Sequence, residues 1–175
     1  MTPLALACAM AAAGSAAPAG RTVQVSGHGV DLLNGALVHS EERTPTGLRR
    51  QSTEIVELEG DLHGRVLYQV ATLIDDTAHT LVNTGEQVYS GTVAGSAPVL
   101  LRDDQFRFEV NLASGAEHGR VYLVHHLAGP PVRCTLDVTG SGRDAAGNPT
   151  FSYRGSCTFA AAAAGASSSS SRPQT

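Results

Sequence analysis

The 175-residue sequence has no Trp and no Lys, and its aromatics are limited to four Tyr and four Phe. An interior built from it must therefore be mostly aliphatic. All twelve basic residues are Arg, set against sixteen Asp and Glu, for a formal net charge of −4. Such a balance gives no positive field to draw phosphates, which argues against a nucleic-acid or anionic-membrane partner. Exclusive use of Arg reads as GC-biased coding rather than a demand for bidentate contacts. No apolar run is long enough to span a bilayer, because the longest is interrupted by Pro3, Gly14 and Pro18.

Chemical signatures are equally sparse. The chain has no G-x-S-x-G elbow, no H-E-x-x-H and no phosphate-binding Walker loop. Gly140 to Ala145 fits G-x-G-x-x-A, but Ala-Gly-Asn-Pro and a strand follow where a helix would be needed, so it reads as a hairpin tip. Asn148-Pro149-Thr150 is barred as a glycosylation acceptor by its proline. Seven His, at 28, 39, 63, 79, 118, 125 and 126, include no pair at i, i+2 or i, i+4. Cys134 and Cys157, with no other soft ligand nearby, make a poor zinc site, so no metal and no cofactor is expected.

The ends differ from the middle. Residues 1 to 20 carry no charge, an apolar stretch from Leu4 to Ala13 and the small-residue site Ala17-Pro18-Ala19. That pattern is a signal peptide lacking its basic n-region; the alternatives are a disordered Ala-rich leader or, through Cys8, a lipoprotein. Residues 160 to 175 are an Ala/Ser-rich tail with little to bury. The folded unit is then residues 21 to 159, one domain, and the export signal implies a secreted or periplasmic location.

Within that unit apolar and polar residues alternate in short runs, the period of half-buried antiparallel strands. In residues 105 to 112, Phe106, Phe108, Val110 and Leu112 fall on one face while Gln105, Arg107, Glu109 and Asn111 fall on the other. Further strands are expected at 52–59, 65–74, 78–83, 86–94, 98–101, 119–127, 132–140 and 150–159, bounded by turn signals such as Asn83-Thr84-Gly85 and Gly129-Pro130-Pro131. So many short, closely connected strands predict an all-β antiparallel meander closing into a roughly eight-stranded β-barrel, with a β-sandwich as the alternative. Residues 27–51 are harder to read: Val30 to Val38 fits a strand or a helical turn, and the polar stretch after it is expected to wrap one mouth.

The last two strands allow an internal check. A hairpin centred between Ala145 and Ala146 sets Cys134 opposite Cys157, Leu136 opposite Gly155 and Val138 opposite Tyr153. A cross-strand Cys134–Cys157 disulfide follows, with a reduced buried pair as the alternative; with Cys8 lost in a leader, an even pair remains.

Candidate site residues come from faces that look inward. In Val121 to Leu127 the apolar face is Val121, Leu123, His125 and Leu127, which makes His125 a candidate acid or base. In strand 52–59 either Glu54 or Glu57 turns inward, and Glu57 joins His125 as the catalytic pair considered. Tyr68, Phe106, Phe108, His125 and Tyr153 are the expected ligand-binding set.

The order Gly60-Asp61-Leu62-His63-Gly64, Gly85-Glu86-Gln87-Val88-Tyr89-Ser90-Gly91-Thr92-Val93, Phe106-Arg107-Phe108 and Gly140-Ser141-Gly142 before a closing strand resembles the allene oxide cyclase and dirigent barrel superfamily, over about residues 52–159. The resemblance implies an eight-stranded barrel with an apolar lumen that holds a small molecule while it cyclises or couples. The functional expectation is an exported barrel binding a small, mostly apolar ligand. The alternatives are an isomerase or cyclase on the same scaffold, and a non-catalytic module with a filled core.

Overall fold

The computed structural model describes residues 20–161. Residues 1–19 of the leader, Cys8 among them, and all but the first two residues of the tail lie outside the described residues. In chain order the strands are β1 (Arg21–Asp31), β2 (Leu37–Thr44), β3 (Gly47–Gly60), β4 (Leu62–Asp75), β5 (Thr80–Val93), β6 (Val99–Asn111), β7 (Glu117–Leu123), β8 (His125–Ala128), β9 (Val132–Arg143) and β10 (Pro149–Phe159). A short 3-10 turn, Leu33–Gly35, separates β1 from β2.

The neighbours run β1-β10-β9-β7-β6-β5-β4-β3, and β1 pairs again with β3. Eight antiparallel strands thus close on themselves, which removes the sheet edges that a sandwich would leave. The two extra strands lie off the ring: β2 extends along β3, and β8 pairs with β6. β2 is exposed along almost its whole length and carries Glu41, Glu42 and Arg43, the charged dress of an unpaired edge.

Pairing on both sides lengthens what the turn signals divided. Asn83-Thr84-Gly85 is not a turn: Asn83 is paired with Thr72 and Phe108, so 78–83 and 86–94 form one strand, β5. Runs 98–101 and 105–112 likewise fuse into β6, through a bulge opposite Glu86 that gives β6 one extra residue. The bulge switches the inward parity from Val99, Leu101 and Asp103 to Phe106 and Phe108. Residues 27–51 resolve into the end of β1, the 3-10 turn, β2 and the start of β3; β1 and β2 lie end to end along the same edge of β3.

The β9–β10 register is as the sequence indicates, with Cys157 opposite Cys134, Gly155 opposite Leu136 and Tyr153 opposite Val138. The two sulfurs are bonded and both residues are buried inside the barrel. Packing is uneven along the axis. Leu62, Tyr89, Val93, Val99, Leu101, Leu123, Val132, Cys134 and Cys157 are 0–3% exposed, so one half is a solid core. Toward the other end the inward Asn83, Phe106, Phe108, Val110, Glu117 and Phe151 are only half-buried.

Candidate functional site at the open end of the barrel

Between the filled and the open halves runs a row of polar side chains in direct register across four strands: Glu54, Tyr68, Gln87 and Asp103. Tyr68 is 5% exposed, so each polar atom in this row must find a partner within the protein. The row divides into two networks.

Asp103 is completely buried and accepts from Gln87 Nε2 at 2.9 Å, the Tyr122 amide at 2.8 Å and the Gln105 amide at 2.7 Å. It is the last residue of β6 in register with Gln87 before the bulge, and its carboxylate takes the place of backbone acceptors where the ladder is interrupted. A carboxylate with three donors is a satisfied structural group.

The second network joins three strands. The Tyr68 hydroxyl lies 2.6 Å from Glu54 Oε2 and 2.9 Å from Asp31 Oδ2, and Ser52 Oγ donates to Glu54 Oε1 at 2.5 Å. Asp31 arrives here because β1 alternates Val23, Val25, Gly27 and Gly29 inward and ends on it. Its Oδ1 is buried without a hydrogen-bond partner. Burial, with the Glu54 charge second, pushes the Asp31 carboxyl up to about 6, and burial followed by Asp31 and Glu54 raises the Tyr68 hydroxyl. Phe106 meets the Tyr68 ring edge-on at 5.7 Å, and on the next row toward the opening Phe108 stands opposite Asn83, whose Oδ1 is a second buried acceptor without a partner. A polar floor with two unused acceptors and an aromatic wall is thereby gathered at the open end.

Of the residues singled out from sequence, Tyr68, Phe106 and Phe108 share this inward surface. The others lie elsewhere. Glu57 is on the outer face, paired with Arg65 at 2.7 Å, because β3 turns its even-numbered residues inward and so selects Glu54. His125 is exposed, 3.3 Å from Asp104. Strict alternation would bring it inward, but the Val124 amide turns back to the Tyr122 carbonyl at 2.8 Å and breaks the strand in two. Tyr153 is 2% exposed and engaged with the backbone, receiving the Leu62 amide at 2.8 Å and lying 3.1 Å from the Glu59 and Leu62 carbonyls. Gly27 lets its ring approach, since a Cβ there would run into both the Glu59 carbonyl and the Tyr153 hydroxyl. Asp31, Ser52 and Asn83 were not singled out from sequence. The alternation Thr22-Val23-Gln24-Val25-Ser26 is the signal that would have carried β1, and with it Asp31, to the inner face.

On the outside, an open groove of about 480 Å³ crosses β6, β7 and β9. Its charges are paired among themselves, Arg107 with Glu109 and Arg120 with Asp137. Among the described residues no cluster of three His, Cys, Asp or Glu is arranged to hold a metal. The chain matches no protein-family model, no curated protein and no solved structure in the three comparisons made.

Proposed function

We propose that this protein is an exported carrier whose open half-barrel holds one small, mostly apolar molecule bearing a hydrogen-bond donor. The observation that carries the reading is the polar floor at the boundary of a packed and an open half, with Asp31 Oδ1 and Asn83 Oδ1 left as acceptors beside Phe106 and Phe108. Buried acceptors without partners cost stability, and a donor from a ligand would offset that cost. The resemblance to the allene oxide cyclase and dirigent barrels supports a ligand inside the barrel, and the buried Cys134–Cys157 bond supports an oxidising compartment.

N-phenylnaphthylamine, a neutral arylamine with an apolar body and one N–H, is a suitable fluorescent probe. Saturable binding is expected, weakened about tenfold by either Phe106→Ala or Asn83→Leu. Non-saturable fluorescence, or an affinity unchanged from the wild type in both variants, would overturn the carrier and leave the filled-core module. Export is tested separately by the mass of the secreted chain, which should begin near Gly20.

Isomerase or cyclase chemistry is the second reading, favoured by a phenol placed between two carboxylates. Its proton carriers are Asp31, Glu54 and Tyr68. Deuterium uptake from heavy water into a co-purified ligand, present with the native protein and absent with Glu54→Gln, would mark it; no uptake refutes it.

A further inference from the structure

We propose that Asp31, Glu54 and Tyr68 work as a one-proton latch on the barrel rim, closed while the carboxylate pair holds a proton and released when that proton leaves. The argument begins with counting. Three oxygens, Asp31 Oδ2, Tyr68 Oη and Glu54 Oε2, lie in two successive hydrogen-bond contacts of 2.9 and 2.6 Å. Each contact needs one proton, and the phenol supplies only one. The second belongs to a carboxyl group, so this geometry is that of a pair carrying one proton and one negative charge.

The surroundings offer the doubly charged state no compensation. The groups that face Asp31 are Glu54 from β3 and Tyr68 from β4. β10 brings Thr150 and Phe151 alongside Val30 and Gly29, and neither is charged. The β9–β10 loop brings Asn148, which is held by another acid, Asp144. The nearby outward pair His28–Glu59 is exposed and self-contained, and Arg50 is bound to Glu41. Among the described residues no Arg or His forms an ion pair with Asp31 or Glu54. Burial and the neighbouring Glu54 hold the Asp31 carboxyl near 6, so the proton is exchanged close to neutral pH.

Asp31 is also the residue at which the closing strand ends. Beyond it the chain steps outward through the 3-10 turn before resuming as β2 on the same edge of β3. That step hangs on few bonds: the Leu32 amide to the Ile55 carbonyl at 2.9 Å, the Leu33 amide to Asn148 Oδ1 at 3.2 Å, and the turn's own Gly35 and Ala36 amides. When the carboxyl proton passes to water, one of the two contacts at Tyr68 loses its hydrogen and two anions face one phenol. Asp31, at the strand end, is free to turn toward solvent, and residues 32–36 move with it, widening the rim. In this state the open half exchanges its contents. That consequence rests on the carrier reading above, whereas the latch itself is read without any ligand.

The test is hydrogen exchange of the full chain, followed by mass spectrometry at pH 5 and pH 8 after correction for intrinsic rates. Peptides covering 32–38 should lose protection roughly tenfold between the two pH values, while peptides from the β9–β10 hairpin stay unchanged. In Asp31→Asn, which cannot ionise, the step should disappear. Should hairpin protection show that this variant is misfolded, Glu54→Gln takes its place and must also remove the step. A wild type with no pH step, or a step that survives in the folded variant, overturns the latch. Loss of arylamine binding with the step intact overturns the carrier alone.

Discussion

Asp103 separates burial of a charge from function. It has no exposed surface, yet each of its oxygens accepts from a donor fixed by the fold, two of them backbone amides. Removing the carboxylate leaves the Tyr122 and Gln105 amides and the Gln87 side chain unpaired in a site closed to water. Asp103→Ala is therefore expected to destabilise the protein by about 3 kcal/mol, measured by urea denaturation, with arylamine affinity in the folded fraction unaltered. A loss below about 1 kcal/mol would mean that water replaces the carboxylate. The acids of the candidate site were only half legible. Apolar residues on both faces of 52–59 left Glu54 and Glu57 equivalent by sequence, and register with β4, which places Glu54 beside Tyr68 and Glu57 beside Arg65, decides between them. Asp31 stayed hidden because it ends a strand diluted by Gly27 and Gly29, whose small size serves Tyr153 and Phe151 rather than strand propensity.

At the scale of elements, the β9–β10 hairpin was legible because cysteine spacing and turn position must agree, and two constraints on one register leave little freedom. Its closure also predicts a quantity. By loop entropy, a bond across 23 residues adds about 3 kcal/mol. The Cys134→Ala/Cys157→Ala double variant should unfold at a correspondingly lower urea midpoint, and reductant should lower the midpoint of the wild type but not of the variant. Equal midpoints for the oxidised wild type and the variant would show that the bond constrains nothing in the unfolded chain. The β6 bulge and the β7–β8 break were not legible, for the same reason in both. Each is an interruption of alternation fixed by a partner distant in sequence or by one backbone bond: Asp103 reaching the Tyr122 amide, and Val124 turning back on Tyr122. Such events leave local composition unchanged. They nevertheless reverse which residues face inward, bringing Phe106 in and taking His125 out.

For the whole molecule the buried and exposed acids act in opposite senses with pH. Asp31 lies at about 6 in the folded protein against 3.8 in its ordinary state, so between those values the native state binds the extra proton. Its contribution is fully present below about pH 4 and is lost as pH rises through 6; two units correspond to about 3 kcal/mol. Asp75 and Asp144 run the other way. Hydrogen bonds from the Ala78 amide and from Asn148 lower their carboxyls, so their stabilisation is present above the ordinary carboxylate range and fades as pH falls below it. Stability should peak near pH 4 and decline on both sides. The ion pairs on the outer wall, such as Arg65–Glu57 and Arg102–Glu86, are exposed on both partners and add little, so moderate salt should leave the profile in place. Urea midpoints from pH 3 to 8 give the profile, and Asp31→Asn should flatten only the limb above pH 4. A variant that still loses stability between pH 4 and 6 would assign that limb to other groups, even where its rim peptides no longer open with pH.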